Sequence, residues 1–532
     1  MTALNPDVSS KRPELRNAVL LTRQGQPQQA AVALQQFLKD HPQDADALFL
    51  LGDMARQQGR FVEAEQLFAR SAETAPSFDA ARFHQANMLL ETGQAPKALA
   101  QAEALLAREP ANPVFRALKA MALELLDEHQ AAASLWQQVV EEGAPEEYRI
   151  RQAHVLRVLG RREDSIVASR KAIGRDPSFG RAWWALATLS GFHFSDEDFA
   201  QMQALAAQPE LPAERRIPLL FALGKACAQR KQYAKSFGYY ARGNGLKRLN
   251  IRHEPGVLSA YVARNKAVFT PEFFRAREGH GCESREPIFL IGMLRAGSTL
   301  VEQILASHSQ IEGTREMYNL GAIGAQLQRA QDAGAYPGIL ESLDGSTRGQ
   351  LGHQYLEAAR VHRKLGRPQF IDKMGNNFLH LGLLHLILPN AKIVDVRRHP
   401  FGCCLSNFTQ LYANGQDETY RLSDLGQLYR DYADLMAHFD SVLPGRVHRI
   451  IYEQLVADPE GEIRRLLGYL ELPFEESCLD FHGNARAVST VSSEQVRSPM
   501  YTEAIDHWRH YEPWLGPLKS ALGPVLSAWE GR

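Results

Sequence analysis

Three residue series step through the first half of this 532-residue chain with one period. Pro42, Pro76 and Pro110 are 34 residues apart, and Pro177 lies 67 beyond Pro110. Gly25, Gly59 and Gly93 keep the 34-residue step, which Asp127 and Gly160 continue approximately. Ala30, Ala64, Ala98 and Ala132 run in phase with both. A fixed period of this length predicts stacked supersecondary units, each burying its apolar face against the next. The unit reads as helix–turn–helix. Gly52 or Ala86 in a first helix lets the second pack closely, and the turn glycine offers a backbone that no β-carbon obstructs. The proline cannot continue the second helix and so ends it. Leu48, Leu51 and Met54, then Leu67 and Phe68, supply buried faces at helical spacing.

This pattern resembles tetratricopeptide repeats over roughly residues 15–180, with a degenerate pair of helices at 217–248 around Gly224, Tyr233 and Ala234. The concave face of such an array either binds a protein partner or serves as a scaffold or dimerisation platform, and the sequence favours neither. The pair Trp183-Trp184 reads as core and inter-repeat packing.

The rhythm changes after about residue 250. Phe269-Thr270-Pro271 and the polar run Arg277-Glu278-Gly279-His280-Gly281 read as a linker, which gives three parts. These are a helical repeat domain at 1–250, a linker at 251–285 and a second domain at 286–532. In the last, strands are predicted at 288–291, 392–396 and 447–452, and helices at 299–307, 378–388 and 462–470. Strands alternating with helices imply βαβ units and a parallel sheet covered on both faces. The expected fold is therefore an α-helical repeat array followed by an α/β domain like that of P-loop proteins, with ligands at the carboxyl ends of the strands.

At such an end stands Gly292-Met293-Leu294-Arg295-Ala296-Gly297-Ser298-Thr299, directly after the apolar run 288–291. It has the two glycines and the final hydroxyl of a P-loop, but Ser298 occupies the place of the lysine that reaches β/γ-phosphates. A strand, a loop with two glycines and a helix N-terminus aim several N–H groups at one point, where the helix dipole favours an anion. The loop keeps the phosphate cradle and drops the nucleoside-triphosphate charge.

Two further segments accompany it. Ile393-Val394-Asp395-Val396-Arg397-Arg398-His399-Pro400 leads a strand into an arginine and a proline turn, with Ser406 and Asn407 in the helix that follows. Ile450-Ile451-Tyr452-Glu453-Gln454-Leu455 is a strand ending in a tyrosine. In this order and spacing the three segments resemble the sulfotransferase family over about residues 286–515, nearest its tyrosylprotein-sulfotransferase-like branch and bacterial proteins that join tetratricopeptide repeats to such a domain. The resemblance implies 3′-phosphoadenosine 5′-phosphosulfate (PAPS) as donor and no metal. It places the 5′-phosphosulfate on Arg295, Ala296, Gly297, Ser298 and Thr299, and the 3′-phosphate on Arg398 and Ser406. Tyr452 contacts the nucleotide, and Ser489 and Arg497 fall in a segment that closes over the donor in relatives.

Sulfuryl transfer to a hydroxyl needs a base on the acceptor side and a cation at the leaving oxygen. By its spacing, 21 residues after Arg295, Glu316 matches the family's general base, and Lys373 in Ile371-Asp372-Lys373-Met374 matches the lysine at the leaving oxygen, with Arg295 sharing the charge. Glu312 and His308 are weaker candidates for the base. Relatives acting on acidic tyrosyl peptides carry an arginine two residues after the glutamate; here it is Tyr318. The acceptor is therefore open between a protein or peptide hydroxyl, tyrosine included, a small hydroxylated metabolite and a carbohydrate.

Two rival readings stand beside this one. A P-loop-type small-molecule kinase should carry a lysine at 298 and an acidic magnesium-binding strand end, for which Asp395 is poorly placed. A repeat-based binding scaffold with an inactive transferase domain would bind donor without turnover. The formal net charge of −1 leaves no global field to attract nucleic acid or an anionic membrane. No apolar run is long enough to span a bilayer. Five cysteines, Cys227, Cys282, Cys403, Cys404 and Cys478, lack metal-ligand spacing and favour a reducing, cytoplasmic setting. Cys403-Cys404 reads as a pair of small buried residues.

Overall fold

A computed structural model describes residues 12–143, 145–251, 253–330, 336–413, 415–484, 486–488, 490, 495–500 and 505–530. The chain divides into two compact units, Met1–Ala168 and Ser169–Arg532.

The first unit is a succession of helix pairs. Pro13–Arg23 pairs with Pro27–Asp40, Ala45–Gln57 with Phe61–Thr74, Asp79–Glu91 with Ala95–Arg108, and Pro113–Leu125 with His129–Glu141. Glu146–Val158 precedes Arg162–Arg175, the helix that crosses into the second unit. Each phase-keeping residue has a structural task. Gly25, Gly59, Gly93 and Gly160 turn between paired helices with φ of 75°, 74°, 73° and 76°, the left-handed region that glycine enters without penalty. Asp127 takes the same turn with φ of 61°. Ala30, Ala64, Ala98 and Ala132 are fully buried where helices touch. A β-carbon on Gly52 would lie 3.0 Å from the Phe68 ring. The helices ending at Asp40, Thr74, Arg108 and Arg175 each stop two residues before Pro42, Pro76, Pro110 and Pro177.

The second unit opens with helices and continues into the sheet. Ala213–Gln229 and Tyr233–Arg248 form another pair of the same kind, its turn made by Lys231 at φ 58° and its close contact by Gly224, whose β-carbon would meet the Tyr240 ring at 2.8 Å. The stretch expected as a linker is built differently. It carries helices Val257–Val268 and Pro271–Arg275, and Phe269, Phe273 and Phe274 are buried in the same core as Phe221 and Tyr240. Its prolines and glycines mark helix starts and turns, while its aromatics hold it to the sheet domain.

Five parallel strands, β1 (Pro287–Ile291), β2 (Ile311–Gly313), β3 (Gln369–Asp372), β4 (Lys392–Arg397) and β5 (Val447–Ile451), lie in the order β2-β3-β1-β4-β5. Alternation along β1 and β4 feeds two cores. Ile288, Leu290, Val394 and Val396 pack with Val301, Ile304 and Leu305 of Ser298–Ala306 and with Ile463 and Leu466 of Pro459–Leu470. Phe289, Ile291 and Ile393 face Tyr355, Leu384, Tyr432 and Phe439 on the other side. The predicted helix at 378–388 divides into a 3-10 turn, Gly375–His380, and an α-helix, Leu381–Ile387.

Candidate active site

Each strand delivers one candidate side chain just beyond its carboxyl end. β1 is followed by Arg295, β2 by Glu316, β3 by Lys373, β4 by Arg398 and β5 by Tyr452. In a parallel sheet these ends share one edge, so residues scattered over 158 positions of sequence converge.

The loop after β1 is shaped by backbone that excludes β-carbons. Gly292 has φ 132° and abuts the Val396 carbonyl oxygen, which a β-carbon would approach to 2.5 Å. Gly297 has φ 106°, begins helix Ser298–Ala306, and lies against Tyr452, whose ring a β-carbon would meet at 2.7 Å. Two neighbours pin the loop: the Gly292 N–H donates to Gly375 O (3.1 Å), and Leu294 O accepts from Asn407 Nδ2 (2.8 Å) and Cys403 Sγ (3.3 Å). Ala296 is buried, and its N–H is spent on Met293 O at 3.3 Å, so the cradle depends on the amides around it. Ser298 and Thr299 open the helix, where first-turn N–H groups have no intrahelical acceptor. Thr299 Oγ1 reaches Thr490 Oγ1 at 3.3 Å.

The segments after β4 and β5 meet this loop. Arg295 Nε donates to Ser406 Oγ at 3.0 Å. Arg398 lies over the Tyr452 ring at 4.9 Å, and its carbonyl accepts from Tyr429 OH at 2.8 Å. The next residue, His399, stacks on Trp508 at 4.7 Å, and its N–H donates to Glu453 at 2.9 Å. Arg295, Ser298, Thr299, Arg398, Ser406 and Tyr452 thus line one edge of the sheet.

Across the loop, Lys373 Nζ and Glu316 Oε1 form an ion pair at 2.6 Å. The lysine side chain is 4% exposed and the glutamate 40%, so the pair presents its carboxylate to solvent. Beneath them Asp372 is fully buried and accepts from Tyr355 OH (2.7 Å), Met374 N–H (3.1 Å) and Asn377 Nδ2 (3.3 Å). Burial pushes its carboxyl up to about 7 against those donors.

The weaker base candidates have structural partners. Glu312 is buried, accepts from Arg363 Nε at 2.9 Å and from the Leu365 N–H at 2.8 Å. His308 is buried with Nε2 on Pro473 O at 3.0 Å. Asp395, fully buried within β4, pairs with Arg397 at 2.7 Å and accepts from Tyr432 OH.

Arg497 donates to Arg486 O at 3.3 Å, and Arg486 pairs with buried Glu302 at 2.9 Å and donates to Thr314 O at 3.2 Å. Ser489 lies outside the described residues. Arg486, Cys403 and Asn407 as loop supports carry no signal of their own; only contacts across the fold disclose them. Burial pushes the Cys403 thiol up to about 12, as befits a packed thiol. All five cysteines are buried and form no disulfide, and Trp183 is buried with Nε1 on Pro177 O at 2.9 Å. Among the described residues no cluster of three His, Cys, Asp or Glu could hold a metal, and no helix is long and apolar enough to cross a membrane.

Comparison with known proteins finds matches in both halves. Residues 287–476 match the sulfotransferase family, and residues 15–79 and 83–147 match the tetratricopeptide repeat. An Aquifex aeolicus protein described as uncharacterized is 29% identical over 378 residues, 69% of this chain. The match spans 49% of that relative, about half its length. A putative protein-tyrosine sulfotransferase of Caenorhabditis briggsae is 24% identical over 231 residues, 42% of this chain and 80% of its own. Among solved structures, the sulfotransferase domain from the curacin biosynthetic pathway covers 47% of this chain and 98% of its own, at 20% identity and a TM-score of 0.35.

Proposed function

We propose that this chain, which joins tetratricopeptide repeats to a sulfotransferase-family domain, moves a sulfuryl group from PAPS to a hydroxyl acceptor. The observation that carries this reading is the convergence of Arg295, Glu316, Lys373, Arg398 and Tyr452 at the carboxyl ends of five parallel strands. The residues fit such a donor. A cradle that a β-carbon would fill at Gly292 and Gly297 suits a phosphate-bearing group, and Arg295 with Ser406 and Arg398 supply cations and a hydroxyl beside it.

PAPS, when bound, supplies the activated sulfuryl group and carries its own phosphate leaving group. The chain's part is to orient and to move a proton. Glu316 takes the acceptor's hydroxyl proton at Oε1 or Oε2, and the Lys373 ammonium, 2.6 Å away, positions that carboxylate and neutralises developing charge at the leaving oxygen. Arg295 shares the charge. Ser298 in place of the P-loop lysine, and Asp395 committed to Arg397, give a phosphoryl-transfer reading nothing to work with.

The acceptor is a hydroxyl compound. The repeats support a protein or peptide presented by a partner-binding array, and exposed Tyr318, where acid-peptide relatives carry arginine, favours acceptors other than acidic tyrosyl peptides. Five unpaired cysteines support a reducing cytoplasmic setting.

Calorimetric titration tests the donor assignment. The protein should bind 3′-phosphoadenosine 5′-phosphate without added metal and more tightly than ADP or ATP. Equal binding of ATP, or binding that requires magnesium, would sink the assignment.

A further inference from the structure

Glu316 and Lys373 follow different strands, so their ion pair keeps one place only if the two segments are tied together. Thr314 Oγ1 donates to Ile371 O, and Lys373 N–H donates to Arg315 O at 3.4 Å. The pair itself spans 2.6 Å. Beside these contacts, at the end of β3, lies the fully buried Asp372.

The Asp372 carboxylate gathers backbone from both segments. It accepts the Met374 N–H at 3.1 Å and the Met317 N–H, and so grips the chain one residue beyond Lys373 and one residue beyond Glu316. Oδ2 accepts from Asn377 Nδ2 at 3.3 Å and from Tyr355 OH, on helix Gly345–Ala359, at 2.7 Å. Asn377 belongs to the 3-10 turn Gly375–His380, and the first residue of that turn meets the loop of Arg295. Gly375 O accepts the Gly292 N–H at 3.1 Å, and a β-carbon on Gly375 would lie 2.7 Å from Gly292 O. One buried carboxylate thus holds both segments of the ion pair and the turn that abuts the donor loop.

All four of these donors are neutral. A carboxylate buried among neutral groups costs stability, and an apolar side chain would fill the core at lower cost. What Asp372 contributes is geometric: donors of fixed direction specify one arrangement of three segments, where apolar contact alone would let them slide.

We infer that Asp372 is a positioning residue of this site, fixing the Glu316–Lys373 pair at one distance from the loop of Arg295. The roles of that pair in sulfuryl transfer rest on the proposed function; the hold on the pair does not.

The test uses the full chain and two readouts. In the first, limiting acetic anhydride labels lysines and mass spectrometry gives the acetylation rate of each. Asp372→Asn keeps the side chain's shape but leaves one acceptor oxygen for donors that shared two. It should speed acetylation of Lys373 about tenfold, the scale on which one lost hydrogen bond to a charged group shifts a local opening. Lys392, paired with Glu471 on β4, should react as in the wild type. Asn377→Ala should move Lys373 in the same direction, and Leu384→Ala, a cavity in the same core, should not. In the second readout, Asp372→Asn should lower sulfuryl transfer from PAPS about 10–100-fold through kcat, the effect of a misplaced catalytic group. Affinity for 3′-phosphoadenosine 5′-phosphate should persist, because Asn407 and Cys403 hold the donor loop independently at Leu294. Wild-type Lys373 reactivity in Asp372→Asn, or in Asn377→Ala where Asp372→Asn does not fold, overturns the inference. So does an equal rise in Leu384→Ala. A wild-type chain that transfers no sulfuryl group overturns the proposed function instead, and the acetylation rates then judge the positioning role by themselves.

Discussion

Arg295 holds a backbone conformation that side chains avoid, with φ of 66°. A left-handed non-glycine residue costs about 1–2 kcal/mol. Here it aims the guanidinium back at Ser406 instead of along the strand. Gly297 is the complementary case, since no side chain fits between its φ of 106° and the Tyr452 ring. Gly297→Ala should lose about 1–3 kcal/mol of stability through strain and displacement of Tyr452. Nucleotide affinity should fall with it, as paired thermal-unfolding and titration measurements would read. A Gly297→Ala protein unchanged in both measurements would show that the loop is not held as described. At this scale the placement of Arg295, Arg398 and Tyr452 beyond strand ends was legible, because each follows an apolar run that announces a strand. Asn407 and Cys403 as loop anchors and Arg486 as a tie to Glu302 were not, because each acts through a partner more than 60 residues away.

Elements were read well where a period or a long apolar run spoke for them. The 34-residue step became helix pairs whose turns share one backbone conformation, and Asp127 shows that aspartate tolerates it. Gly59 has open space around its would-be β-carbon, so only its φ of 74° resists substitution. Gly59→Val should therefore lower the first unit's stability by about 1–2 kcal/mol, and Gly59→Asp by less, in denaturant unfolding. Equal losses would mean that something other than backbone conformation governs the turn. β2 and β3 escaped sequence reasoning. Ile311–Gly313 is three residues around a buried Glu312, and Gln369–Asp372 is short and ends in a buried aspartate. Periodicity has too few residues to act on in either. Both are strands because neighbours pair with them, and both matter, for Glu316 and Lys373 leave from their ends.

At the scale of the molecule, the helices before the sheet belong to its core. Phe221, Tyr240, Phe269, Phe273 and Phe274 share one buried cluster with Phe289, Leu384 and Tyr432. Burial of a large apolar side chain contributes about 1.5–3 kcal/mol, and whole domains are stable by only about 5–15 kcal/mol. A fragment of residues 286–532 should therefore fail to fold, while one of residues 161–532, keeping helix Arg162–Arg175 whole, should fold and bind 3′-phosphoadenosine 5′-phosphate. Circular dichroism and titration of the two fragments check this; a folded, nucleotide-binding 286–532 would contradict it.

The central claim is that Glu316 and Lys373 act on a sulfuryl group held at the loop of Arg295. Incubation of cell extract with the protein and sulfur-labelled PAPS, followed by separation of the labelled products, tests it most directly. The wild-type protein should transfer label to an acceptor. Glu316→Ala should lower transfer by about 10²–10⁴-fold, the range of a lost general base, while donor binding persists. Arg295→Ala should impair both binding and transfer. Undiminished transfer by Glu316→Ala, or label that moves only from γ-labelled ATP, would contradict the account.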